Sequence, residues 1–196
     1  MTRVGHIEKA GGVMSSTLHT SQRHETRVNR PLGRAEEERL MEATIPQARM
    51  AHPAFALPGA MDALQALGKA ITDSDVPPRT LELMNLRASQ INGCGVCAVQ
   101  HPNIARKLGE TDERLFAVAA WREAPYFDEA ERAAFALTEA ATRMCDRAEP
   151  VPDDVWEEAA RHYNEQALAA LVVAIANINV WNRLNVVTRQ VAGQAW

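Results

Sequence analysis

The chain has 196 residues, 21 basic against 25 acidic, with three cysteines and ten aromatics. A domain of this length buries on the order of 70% of its unfolded surface without covalent staples, which excludes a disulfide-dense mini-protein. The net charge of −4 lacks the basic excess of a dedicated nucleic-acid binder, and 46% hydrophobic with 23% charged residues is globular composition.

Residues 1–34 carry six basic side chains (Arg3, Lys9, Arg23, Arg27, Arg30, Arg34) against Glu8 and Glu25, a local +4 that leaves −8 for residues 35–196. This stretch is rich in Gly, Ser, Thr and His and has no helical apolar period. It reads as part of a disordered extension over residues 1–45, ahead of a domain over 46–196. It contains no apolar run of the roughly 7–15 residues that a secretory signal needs. A helix opening near Pro58 then places Met61, Leu64 and Ile71 on one side, and Asp73-Ser74-Asp75 stops it. Pro77-Pro78 opens a second helix through Leu81, Met84 and Leu86 to Asn92-Gly93, since proline favours a first turn. A third runs from about Cys94 to Leu108, with Gly109 suited to the left-handed position after a helix and Pro102 expected to kink or break it. Further helices are predicted over 112–122, 128–145 with an Asp128/Glu131 cap, 152–163 and 165–190.

No stretch alternates apolar and polar residues as a half-buried strand would, and 34 alanines lean the same way. The predicted class is all-α, about seven helices joined by short loops. The uncharged run 166–182 reaches only the lower edge of the roughly 17–25 residues of a membrane span and contains Gln166, Asn177, Asn179 and Asn182, so no span is expected.

Chemistry concentrates in residues 81–101, LELMNLRASQINGCGVCAVQH. Cys94 and Cys97 form a Cys-x-x-Cys, His101 follows four residues later, and Glu82 stands twelve residues before the first cysteine. With Cys94 at the start of a helix, Cys97 and His101 fall at +3 and +7 on one face, although a residue before proline is biased away from helical dihedrals. A helix N-terminus favours a thiolate over a thiol. His101 can exchange protons with it, and Glu82 can orient the histidine or relay the proton. The second cysteine can attack a sulfenic acid formed on the first, closing a disulfide before over-oxidation. Three other readings use the same residues. A structural zinc site would need four ligands, and only Cys145 and His162 remain at long range. A thioredoxin-like motif would follow a βαβ unit, whereas the preceding segment is helical. The cysteines could also serve as small buried hydrophobes beside a satisfied core histidine.

The segment resembles the Glu-x11-Cys-x-x-Cys-x3-His pattern of the AhpD-like alkylhydroperoxidases within the wider carboxymuconolactone decarboxylase family. Leu86–Cys94 (LRASQINGC), Trp121–Phe127 (WREAPYF) and Ile178–Val186 (INVWNRLNV) look like its small CxxC-bearing members, so the resemblance covers roughly residues 46–196. It implies the all-helical AhpD-like fold, with protomers associating into trimers or hexamers. It also implies Cys97 as the cysteine that attacks peroxide, and Cys94 as its disulfide partner and the more exposed thiol meeting an external reductant. Glu82 and His101 would form the proton relay. The AhpD peroxidases proper carry a histidine immediately before the second cysteine, where this chain has Val96. That implies a shorter relay and leaves open the AhpD partnership with a peroxiredoxin and a lipoyl-bearing protein.

The function expected is a thiol-dependent peroxidase that reduces hydrogen peroxide or alkyl hydroperoxides. Its partners would be the small-molecule peroxide and an external thiol or dithiol reductant, with no metal, flavin or nucleotide, no nucleic acid and no membrane. A dithiol that must be kept reduced implies a cytoplasmic setting. Two alternatives are a non-redox enzyme of the lactone decarboxylase type, using His101 or Glu82 as acid or base, and a redox-sensing subunit without turnover. Elsewhere, Cys145 is expected to pack as a small apolar residue. Trp121, Trp156 and Trp181 are expected in the core or a subunit interface, and His162 at the surface. Asn177, Asn179, Asn182 and Asn185 are expected to bond between helices or to line a pocket.

Overall fold

Most helix starts among the described residues are set by prolines or by side chains that accept from a helix's first free amides. The structure is a computed structural model that describes residues 33–36, 39, 47–145 and 147–193. Contacts divide the chain into two units, Met1–Ile45 and Pro46–Trp196. The expected disordered extension over residues 1–45 lies, apart from residues 33–36 and 39, outside the described residues.

Within the second unit the order is α1 (Pro53–Ala56), α2 (Ala60–Thr72), α3 (Pro78–Asn92), α4 (Gly95–Lys107) and α5 (Asp112–Ala117), which runs into a 3₁₀ turn (Val118–Ala120). Then follow α6 (Glu129–Thr142), α7 (Asp153–His162) and α8 (Glu165–Thr188). The described residues of this unit contain no strand, so the all-α class holds. The seven expected helices are α2 to α8. The short α1 is additional, and its cap is His52, whose Nδ1 accepts from the Ala54 amide at 3.2 Å. Pro78 occupies the first turn of α3. Asp128 and Glu131 make the expected reciprocal capping box on α6, and the Asn164 side chain accepts from the Ala167 amide at 2.9 Å to open α8.

Three boundaries differ from expectation. Helix α4 runs unbroken through Pro102, because Val96, Cys97 and Ala105 are buried on either side of it and packing outweighs one lost backbone bond. The predicted helix over 112–122 tightens after Ala117 into a 3₁₀ turn that carries Val118 and Trp121 inward. Helix α6 stops at Thr142, since Arg143 already has non-helical dihedrals (φ −98°, ψ 33°). Met144 and Cys145 therefore lie beyond the helix and are exposed, so Cys145 is not the packed residue expected.

Helix α3 packs against α4, α6 and α8, and its successive faces explain why. Leu81 and Met84 join Leu137, Leu171 and Ile175 in one apolar cluster. Leu83 and Leu86 face the other way, onto Val118, Trp121 and Phe135. Full burial of each such side chain stabilises by about 1.5–3 kcal/mol. Glu82 and Ser89, seven residues apart, share a third face directed at α4 and α8. Helix α8 is long and apolar enough to cross a membrane by length and composition alone. Its interior stripe nevertheless includes buried Asn179, Asn182 and Asn185, each bonded to a side chain of another element, as in the central helix of a bundle.

Candidate functional site

The dithiol is placed by the turn between α3 and α4. Gly93 closes α3 in the left-handed region (φ 67°), where a side chain would be strained, and Cys94 becomes the N-cap of α4. The Cys94 Sγ accepts from the Cys97 amide at 3.4 Å. Both thiols are free, and Ala88, Val96, Ile178 and Trp181 pack around them. Because α4 continues through Pro102, His101 stays on the Cys97 face, one turn further on. Its Nδ1 lies 2.7 Å from Glu82 Oε2 on α3.

A cavity of about 340 Å³ opens on this group, lined by Phe55, Met61, Cys97, Gln100, His101, Trp181 and Asn185. Cys94 faces a separate recess of about 180 Å³, lined among others by Gly93, Arg189 and Gln190, and Asn185 borders both. Asn185 is the α8 amide that lines both, with Asn182 one turn behind it. Asn182 donates to Ser89 Oγ at 3.1 Å and accepts from Asn92 at 2.8 Å, while Asn185 Nδ2 donates to Cys97 Sγ at 3.3 Å.

Comparison with known proteins bears on this arrangement. The model of the carboxymuconolactone decarboxylase family matches residues 58–140, a span that includes Glu82, Cys94, Cys97 and His101. The chain is 35% identical over 129 residues to the uncharacterized protein YdfG of Bacillus subtilis, covering 66% of this chain and 86% of that one. The chain belongs to the carboxymuconolactone decarboxylase family. A solved structure from Agrobacterium tumefaciens, of unknown function and described as a candidate antioxidant defence protein AhpD, is 32% identical with a TM-score of 0.70. It covers 76% of this chain and 100% of that one. The debrominase Bmp8 shares the fold at 22% identity and TM-score 0.62, over 83% of this chain and 90% of the other. The AhpD-like form of the fold is thus shown.

In this family member the two sulfurs titrate in opposite directions. The Cys97 side chain hydrogen-bonds the Cys94 sulfur and, with the Cys97 amide and the Asn185 and Asn182 side chains, brings the Cys94 thiol down to about 6 against the opposing effect of burial. The same bond, burial and the charge on Cys94 push the Cys97 thiol far up. At neutral pH the pair therefore holds one proton between two sulfurs, with the negative charge centred on the N-cap. Passing that proton from Cys97 to Cys94 or to His101 exposes a thiolate to the cavity. Among the described residues no group of three or more His, Cys, Asp or Glu side chains is arranged to hold a metal ion.

All four residues singled out from the sequence converge here, with one correction. Cys94 was expected to be the more exposed thiol, yet it is buried like Cys97, the two being 1% and 3% exposed. Its sulfur folds back over the first turn of α4 as the cap, and so is covered. Of the α8 asparagines, Asn179 and Asn182 bond between helices, whereas Asn185 is a cavity residue. Trp121 is buried as expected, Trp181 lines the cavity, and Trp156 is exposed in the single chain. His162 is exposed at the surface, as expected, and pairs with Glu158 at 3.0 Å on its own helix. Sequence reading missed His52, Phe55 and Gln100. The available signal for His52 was its position immediately before Pro53, where a side-chain acceptor caps a helix.

Proposed function

We propose that the chain is a thiol-dependent peroxidase that reduces hydrogen peroxide or alkyl hydroperoxides. The observation that carries this reading is the single cavity onto which Cys97 and His101, backed by Glu82, both open. In the proposed cycle the Cys97 thiolate attacks the terminal peroxide oxygen. The O–O bond breaks, the other oxygen leaves as alkoxide or hydroxide and takes a proton from His101, and Cys97 becomes a sulfenic acid. The Cys94 sulfur then attacks Cys97, forming the S–S bond as hydroxide leaves and is protonated to water. An external dithiol, a lipoyl-bearing protein among the candidates, supplies two electrons and two protons to reopen the disulfide. Such a cycle fits a cytoplasmic protein assembled as a homotrimer or hexamer.

Steady-state peroxide consumption with dithiothreitol tests the proposal on the parent protein, Cys97→Ser and His101→Ala. Turnover is expected to vanish in the first variant and to fall strongly in the second. Equal rates in all three would overturn the reading. Decarboxylation of a lactone acid that survives replacement of both cysteines by serine would favour the non-redox alternative. One round of oxidation with background turnover would favour a sensor.

A further inference from the structure

We propose that the recess beside Cys94 is a binding site for a carboxylate-bearing small thiol, in which Arg189 pairs with the carboxylate while the thiol sulfur meets Cys94. This rests on the dithiol cycle of the peroxidase reading and assigns the chemical class of its reductant.

Two openings reach the dithiol, and each meets one sulfur. Cys97 lines the cavity of about 340 Å³ and Cys94 the recess of about 180 Å³, with Asn185 in the wall of both. Thiol–disulfide exchange is an in-line displacement, so a thiolate attacking Cys94 comes along the extension of the S–S axis, from the side away from Cys97. The recess borders Cys94 and the cavity does not. A sulfur only 1% exposed is also out of reach of a flat protein surface, so the reductant must be slender enough to enter. Its thiolate attacks Cys94 Sγ, the bond to Cys97 breaks, and Cys97 leaves as a thiolate that takes a proton from His101. A second thiol of the reductant then attacks the sulfur bound to Cys94, closes the reductant's own disulfide and releases Cys94. The two electrons and two protons of the reductant's dithiol end on Cys94 and Cys97.

The recess is open at the sulfur and electropositive. Gly93 and Gly95 flank Cys94 in its wall. Gly93 is required by its left-handed φ of 67°, but Gly95 lies in the first turn of α4, where glycine is a poorer helix former than alanine, and a Cβ there would meet no atom within 4 Å. Its missing side chain leaves room beside Cys94. The Gly95 and Val96 amides, first in α4, have no intrahelical acceptor, and no acidic residue occupies that turn. Arg189, the exposed C-cap of α8, lines the same recess, and its guanidinium pairs with no carboxylate among the described residues. The lining thus contains one fixed cation and no fixed anion, which favours an arriving thiolate and a carboxylate carried with it. Asn185, 2% exposed, turns Nδ2 to Cys97 Sγ at 3.3 Å and leaves Oδ1 without a hydrogen-bond partner. That oxygen supplies an acceptor for the S–H of an arriving thiol.

Dihydrolipoate and dihydrolipoamide are the probes, because they carry the same dithiol and differ in the charge at the far end. The full chain is oxidised with diamide, and loss of the Cys94–Cys97 disulfide is followed by acid quench, alkylation and mass spectrometry. At low salt dihydrolipoate should reduce it about threefold to fivefold faster than dihydrolipoamide, the effect of one exposed ion pair, and the rates should converge to within about 1.5-fold in about 0.5 M salt. Arg189→Asn removes the charge and suits the left-handed position (φ 55°), so it should also bring the rates together, whereas Arg189→Lys should keep the preference. Gly95→Leu, which fills the recess beside Cys94, should slow both reductants about tenfold. Equal rates in the parent, a preference that survives in Arg189→Asn, or undiminished rates in Gly95→Leu would overturn the proposal, as would a chain in which diamide forms no disulfide. Should Arg189→Asn not fold, the salt series on the parent still decides, because a preference unaltered at high salt would also overturn it. Charge-selective reduction in a protein without peroxide turnover refutes the peroxidase reading and leaves the recess standing, whereas peroxide turnover with equal reduction rates does the reverse.

Discussion

Glu82 Oε2 and His101 Nδ1 stand 2.7 Å apart across nineteen residues of sequence, with side chains only 16% and 13% exposed. A carboxylate facing Nδ1 accepts a hydrogen bond from Nδ1–H, which keeps that nitrogen protonated and leaves Nε2 as the imidazole's basic nitrogen. Proton transfer of this kind contributes roughly 10²–10⁴-fold to rate, and the orienting group a part of it. Glu82→Gln keeps a hydrogen-bonding amide and loses the charge, so peroxide turnover is expected to drop by about 10–100-fold with an unchanged melting temperature. Unaltered turnover in Glu82→Gln would remove the carboxylate from the mechanism.

The shared proton of the dithiol predicts an acid-shifted reactivity. With the Cys94 thiol at about 6, its thiolate persists as pH falls from 8 to 7 and disappears below about pH 5, whereas an ordinary thiol loses its thiolate from about pH 9 downward. The Cys97 side chain is the largest cause of that lowering. In Cys97→Ala the labelling midpoint of Cys94 should therefore climb toward the ordinary value, although the N-cap position is kept. pH-resolved labelling of the two proteins provides the check, and coincident midpoints would assign the effect to the helix terminus alone.

The parts of this site legible in the sequence are those set by local rules. Cys94, Cys97 and His101 follow one another at helical spacing, and Asn92-Gly93 marks the break that makes Cys94 a cap. Glu82 stood out by its spacing on the preceding helix, and the family resemblance added its place in the relay, but nothing local says which face of α3 meets α4. Long-range placement was out of reach. Helical spacing alone could not choose which α8 asparagine turns to the dithiol, 88 positions from Cys97. Pro102 and Cys94 mark places where a sound local rule lost to tertiary packing. The helix continued where proline predicts a break, and the capping sulfur was covered where a redox thiol was expected to be open.

Cys145, exposed beyond the end of α6, is the thiol that a bulky reagent should meet first. Native protein treated with a disulfide-exchanging chromogenic reagent is expected to show one fast thiol, which is absent in Cys145→Ser, while the buried Cys94 and Cys97 react more slowly. Peroxide turnover in Cys145→Ser should stay within about twofold of the parent. A larger loss would bring the third cysteine into the chemistry.

Glu139 offers a stability prediction independent of the site. Its Oε1 accepts from Trp121 Nε1 at 2.9 Å and Arg87 Nε at 2.7 Å, and its Oε2 from Arg122 at 2.8 Å. Burial alone would raise its pKa, but these bonds outweigh burial and bring it down to about 2 from 4.5. Between those values the unfolded chain binds the proton and the folded chain does not, so stability rises with pH there. The contribution is complete above about pH 4.5 and is lost as pH falls through about 2. Glu139→Gln also strips a partner from Arg87, whose side chain is 13% exposed. The variant should unfold about 2–4 kcal/mol more easily at pH 7. Urea unfolding of parent and variant should give a smaller difference at pH 3 than at pH 7, because the parent loses part of the Glu139 contribution on acidification. An equal difference at both pH values would show that the ionised carboxylate is not what holds α3, α6 and the 3₁₀ turn together.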